Sequence, residues 1–166
     1  MNTESSRAIL GGGCFWGIEH LFLETPGVLN TQVGYSGGHL DSPTYEDICR
    51  GDTGHAEVVE IKYDSEKISY KEILDLFFRM HDPTTLNRQG VDLGTQYRSV
   101  IFYTSLEQKN EAEAFIKDLT ERNVFRRPIV TELTQEQKFW PAEEYHQKYF
   151  VKNPSRQVCH FLKSEL

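Results

Sequence analysis

The chain has 166 residues, 38% of them apolar, with 18 Lys and Arg against 25 Asp and Glu for a net charge of −7. That length fits one domain with a real core, and the acidic balance excludes a general nucleic-acid binder, which needs a basic face. No apolar run approaches the ~18 residues of a membrane-spanning helix, and the polar lead Met1-Asn2-Thr3-Glu4-Ser5-Ser6-Arg7 has the composition of neither a signal peptide nor a transit peptide.

In chain order, Ala8-Ile9-Leu10 reads as a short apolar strand. Ile18, Leu21 and Phe22 then recur at helical spacing until Pro26-Gly27 stops them. Val28 to Tyr35 is a second strand, and Thr44 to Cys49 a short helix with Thr44 as its cap. Ala56 to Tyr63 carries the β-prone Val58, Val59, Ile61 and Tyr63. Ser69 caps an amphipathic helix bearing Ile73, Leu74, Phe77 and Met80, with Glu72 at capping-box spacing. Arg98 to Tyr103 is a strand, and Leu106 to Asn123 a surface helix with a stripe of Ala112, Phe115, Ile116 and Leu119. Ile129 to Leu133 is a short strand, and Pro141 opens a last helix through Tyr145 and Tyr149. The alternation predicts a single α/β or α+β domain over 1–166, a mixed sheet with helices packed on it. Residues 154–166 form a mobile tail by composition and position. Gly37 to Pro43 and Asp82 to Thr95 are the loop-like stretches, where function usually sits.

The chemistry concentrates in Gly11-Gly12-Gly13-Cys14-Phe15-Trp16-Gly17. The glycines let backbone approach a substrate, and a thiol in the first turn of the following helix faces unpaired N–H groups that favour its thiolate. Phe15 and Trp16 supply an apolar wall beside it. The other cysteines are Cys49 and Cys159. An odd number without a Cys-x-x-Cys suits neither a secreted disulfide framework nor a zinc ribbon, so the expected location is the reducing cytoplasm. His55-Ala56-Glu57 has the spacing of a zinc deaminase motif, but the Pro-Cys-x-x-Cys that must follow is missing, so no metal is expected. Read on residue chemistry alone, the chain is open to a thiol peroxidase, a binding module with an inert Cys14, or, more weakly, a cysteine hydrolase.

Gly-Cys-Phe-Trp-Gly followed by Glu19 resembles the signature of the A-type peptide methionine sulfoxide reductases. Gly34-Tyr35-Ser36-Gly37-Gly38, Thr44-Tyr45, Gly51 through Glu57, His81-Asp82-Pro83, Asn87-Arg88-Gln89-Gly90 and Gly94 through Ser99 are similar to further blocks of that family, in the same order. The resemblance implies a compact two-layer fold and thiol-dependent reduction of methionine S-sulfoxide, free or in proteins, with no cofactor. It implies Cys14 as nucleophile, Glu57 as proton donor, Tyr45 and Tyr97 as hydrogen-bond donors to the sulfoxide oxygen, and Asp92 as a further polar site residue. Phe15 and Trp16 would hold the S-methyl group. A sulfenic acid on Cys14 would condense with Cys159, and thioredoxin would reduce the disulfide. Family tails place the resolving cysteine among glycines after Asn-Pro; here Asn153-Pro154 is present but Ser155 to His160 lacks the glycines. Cys49 reads as structural, and the protein is expected to act as a monomer.

Overall fold

The computed structural model describes residues 6–166; the polar lead at 1–5 lies outside the described residues. Among the described residues there are eight strands and five α-helices: β1 (Ser6–Gly11), α1 (Phe15–Leu23), β2 (Val28–Ser36), α2 (Tyr45–Arg50), β3 (Ala56–Tyr63), α3 (Tyr70–Met80), β4 (Arg88–Gln89), β5 (Asp92–Leu93), β6 (Val100–Tyr103), α4 (Leu106–Glu121), β7 (Glu132–Gln135), β8 (Trp140–Pro141) and α5 (Tyr149–Lys152). Six strands form one mixed sheet in the order β7-β6-β1-β3-β2-β8, antiparallel except for the parallel β6–β7 pair. β4 and β5 make a separate hairpin.

Period-two alternation decides the faces of the sheet. Ala8 and Leu10 of β1, Val59 and Ile61 of β3 and Ile101 of β6 point into the main core. Ile9, Val58, Val100 and Phe102 point to the opposite side, where Phe139 packs on them. The main core is completed by Phe15, Ile18 and Phe22 of α1 and by Ile73, Leu74, Phe77 and Phe78 of α3. Ala112 and Leu119 of α4 join them, and Phe78 stacks on Phe115 with centroids 5.6 Å apart. Burying each such large apolar side chain contributes roughly 1.5–3 kcal/mol.

The caps follow the residue chemistry. Thr44 and Asp47 exchange hydrogen bonds in a full capping box at α2. Ser69 accepts from the Glu72 N–H at 3.1 Å and caps α3. The last segment departs from expectation. Pro141 ends the edge strand β8 instead of opening a helix, because the Ala142 N–H bonds to the Val33 carbonyl and continues the pairing with β2. A 3₁₀ turn at Glu144–His146 follows, and Lys148, at φ +52°, starts the one-turn helix α5 afresh. The predicted strand at Ile129–Leu133 forms three residues later, at Glu132–Gln135, in register with β6.

The topology fixes where function can gather. β1 and β2 end at the edge of the sheet where β3 and β6 begin: Tyr35 lies opposite Glu57, and Gly11 opposite Val100. The segments holding Cys14, Glu57, Tyr45 and Tyr97 therefore all emerge at one end of the sheet. No described helix is long and apolar enough to cross a membrane.

Candidate active site

Gly13 has φ +98°, a conformation that side chains resist, and it turns the chain from β1 into α1. Cys14 is the N-cap of α1, with φ −59° and ψ 123°, one residue before the first turn where the sequence had placed it. The start of a helix leaves N–H groups without intrahelical partners. Here the Phe15 N–H donates to Glu57 Oε1 at 3.3 Å, and the Trp16 N–H pulls the Cys14 thiol down.

Glu57 is the second residue of β3 and is 2% exposed. Burial pushes its carboxyl up to about 8, and the charges of Asp92 and Cys159 add to that, while the Phe15 N–H works against it. At neutral pH this carboxyl keeps its proton. Tyr45, the first residue of α2, and Tyr97, in a 3₁₀ turn at Thr95–Tyr97, are half-buried and lie within reach of its charge. Burial pushes both phenols above the usual tyrosine range, so both remain donors. Asp92, in the β4–β5 hairpin, is raised by burial and then by Cys159.

The expected apolar wall is divided. Phe15 is 1% exposed and belongs to the core, its ring 5.8 Å from Tyr35 and 5.2 Å from His146. Trp16 keeps a half-buried face, stacks on Tyr149 at 3.6 Å and donates its indole N–H to His146 Nδ1 at 2.9 Å. Glu143 accepts from the Tyr45 N–H at 2.8 Å and the Tyr35 hydroxyl at 3.0 Å, anchoring the start of α2. Sequence reading gave none of Glu143, His146 or Tyr149 a place in the site. Their signal, a run of polar and aromatic residues after Pro141, was absorbed by the predicted helix.

Cys159 lies beside Cys14, and each sulfur shifts the titration of the other. In this tail-docked form the Cys159 sulfur and burial push the Cys14 thiol up, the reverse of the lowering expected from its helix-start position. Cys14 and His160 pull the Cys159 thiol down. Residues 154–166 are docked on the domain. His160 is buried, the Lys163 N–H bonds to the Arg79 carbonyl at 3.0 Å, and the Arg79 guanidinium donates to the carbonyls of Lys163 and Ser164 at 2.7 and 2.8 Å. A cleft of about 360 Å³ runs beside this tail, with Asp82, Gln89, Asp92, Cys159 and His160 in its walls. Cys49 is exposed on α2, near the Tyr45 phenol. Among the described residues, no three His, Cys, Asp or Glu side chains gather to hold a metal ion.

The profile of the family described as peptide methionine sulfoxide reductase matches residues 6–165. A protein of Acinetobacter baumannii (strain AYE) named peptide methionine sulfoxide reductase MsrA is 54% identical over 155 residues, 93% of this chain and 88% of that one. One of the same name from Methanothermobacter thermautotrophicus is 53% identical over 157 residues, 95% and 92% of the two chains. Among solved structures, Mxr1 from Saccharomyces cerevisiae in reduced form superposes with a TM-score of 0.90 at 38% identity, covering 96% of this chain and 93% of that one. Methionine sulfoxide reductase A of Corynebacterium diphtheriae gives 0.89 at 34%, covering 99% and 82%. Mxr1 in complex with Trx2 gives 0.66 at 24%, covering 99% and 94%.

Proposed function

Because the chain belongs to the peptide methionine sulfoxide reductase family, we propose that the cluster at this end of the sheet performs the family's reaction with Cys14 as nucleophile and Cys159 as resolving thiol. The protein is an oxidoreductase that returns methionine sulfoxide to methionine. One observation carries the residue assignment: the buried, protonated Glu57 carboxyl accepts from the Phe15 N–H, the residue that follows Cys14 at the start of α1.

Cys14 attacks the sulfoxide sulfur once its proton has left it. Glu57 delivers a proton to the developing oxyanion, and the Tyr45 and Tyr97 hydroxyls hydrogen-bond it. The oxygen passes to Cys14, leaving methionine and a sulfenic acid; the methionine sulfur gains the two electrons that Cys14 loses. Asp92, nearby and raised, helps keep Glu57 protonated. Trp16, the wall residue that keeps an exposed face, receives the S-methyl group, and Phe15 backs it from the core. Cys159 then condenses with the sulfenic acid, releasing water.

The relatives' name, MsrA, denotes an enzyme type, and each sulfoxide epimer has its own; we read the S epimer for this chain. We also propose thioredoxin as the reductant, supported by the structure of Mxr1 with Trx2. Three free cysteines fit a reducing compartment such as the cytoplasm, and we read the working unit as a monomer. Mass spectrometry of reduced protein after reaction with methionine sulfoxide, without reductant, tests the assignment. It should show Cys14 joined to Cys159. A Cys14–Cys49 link, or an unmodified Cys14 after methionine has formed, would overturn it.

A further inference from the structure

The glycines around Cys14 do more than shape a turn. His160 Nε2 lies 2.9 Å from the Gly12 carbonyl. A Cβ on Gly17 would overlap His160 Nδ1, and one on Gly13 would come within 3.1 Å of Nε2. Gly17 sits inside α1, where helix propensity disfavours glycine by about 1 kcal/mol against alanine. Its bare face is the seat of the imidazole. A carbonyl only accepts, so Nε2 carries the hydrogen. In the neutral ring, Nδ1 then presents its lone pair, and that atom lies 3.5 Å from Cys159 Sγ.

We propose that His160 seats the tail on this glycine platform and acts as the proton acceptor for Cys159 when the disulfide forms. This rests on Cys159 being the resolving thiol. His160 Nδ1 takes the S–H proton and the Cys159 sulfur attacks the Cys14 sulfur. The Cys14 S–O bond breaks, and the departing hydroxide takes up that proton and leaves as water. Sulfenic acid and thiol become disulfide and water, with no outside oxidant. The ionisable groups facing the imidazole are Cys159 and Lys163 on its own segment, Cys14 at α1, Asp92 on the hairpin, and His81 and Asp82 after α3.

The test follows thiol loss and methionine release together after one addition of methionine sulfoxide, without reductant, between about pH 6 and pH 9. The methionine burst counts folded, reacting sites in each sample. Glutamine keeps an N–H for the Gly12 carbonyl but accepts no proton, so His160→Gln separates seat from base. An ordinary thiol near 8.5 is about 3% ionised at pH 7, so H160Q should close the disulfide about 30-fold more slowly there and approach wild type by about pH 9. His160→Ala loses the seat as well and should remain slow at both pH values. Wild-type kinetics in H160Q across the range would overturn the role of His160. Normal disulfide-linked recycling in Cys159→Ser would instead overturn the resolving assignment on which it rests, so the two failures are distinguishable.

Discussion

Glu57→Gln removes the transferable proton while keeping the shape of the side chain. The wild-type carboxyl moves from an ordinary value of about 4.5 to about 8 because it is buried. A folded-state value above the unfolded one means that the native protein holds the proton more tightly. Between about pH 4.5 and pH 8 the unfolded chain loses this proton first, so stability falls as pH rises. At about 1.4 kcal/mol per pH unit, the full displacement corresponds to about 5 kcal/mol, of which about 3 kcal/mol falls between about pH 6 and pH 9. Denaturant titration at those two pH values should show wild type losing about 3 kcal/mol more than E57Q. The amide still accepts the Phe15 N–H, though its own buried N–H groups cost about 1–3 kcal/mol at every pH. In single-turnover assays at neutral pH, E57Q should release methionine about 10²–10⁴-fold more slowly, the range for general acid catalysis. The same pH dependence of stability in both proteins, with an unchanged single-turnover rate, would refute the reasoning.

Trp16→Ala removes the half-buried apolar face beside Cys14 and leaves His146 Nδ1 without its donor. Substrate affinity should drop by about 1–3 kcal/mol, and the preference for methyl over ethyl sulfoxides should narrow; inhibition and competition assays measure both. Glu143→Gln either sets an amide donor against the Tyr45 N–H or forces the Tyr35 hydroxyl to turn from donor to acceptor. It should destabilise the fold by about 1–3 kcal/mol in denaturant and slow methionine release by displacing Tyr45, whereas a change at Cys49 should slow neither methionine release nor recycling.

Much of this arrangement is legible in residue order. Apolar and β-prone runs locate β1, β2 and β3, and helical spacing locates α1, α3 and α4, because those segments line a common core, with β1 and β3 burying their second face as well. Cys14, Glu57, Tyr45, Tyr97 and Asp92 are legible through motif resemblance, since each falls in a short block next to a strand or helix start, whereas Cys159 lies in the tail that departs from the family pattern. The last third of the chain is less so. From Pro141 onward, local pattern suggests a helix, but pairing of Ala142 with Val33 and anchoring of Gln147 on the Val33 backbone are long-range bonds that override it. The divided roles of Phe15 and Trp16 are equally invisible locally, because adjacent helical residues point in directions about 100° apart and only the fold says which direction is the core. The seat for His160 joins residues far apart in the chain, so the glycine at 17 signalled close approach without naming its partner.

The central claim is that Cys14 carries the reductive step and Cys159 only resolves it. Methionine released per protein molecule, after one addition of methionine sulfoxide in the absence of any reductant, tests this most directly. Wild type and Cys159→Ser should each release one equivalent, and Cys14→Ser none, because an alcohol is a far weaker nucleophile than a thiol at neutral pH. One equivalent of methionine from Cys14→Ser, or none from Cys159→Ser, would contradict the account.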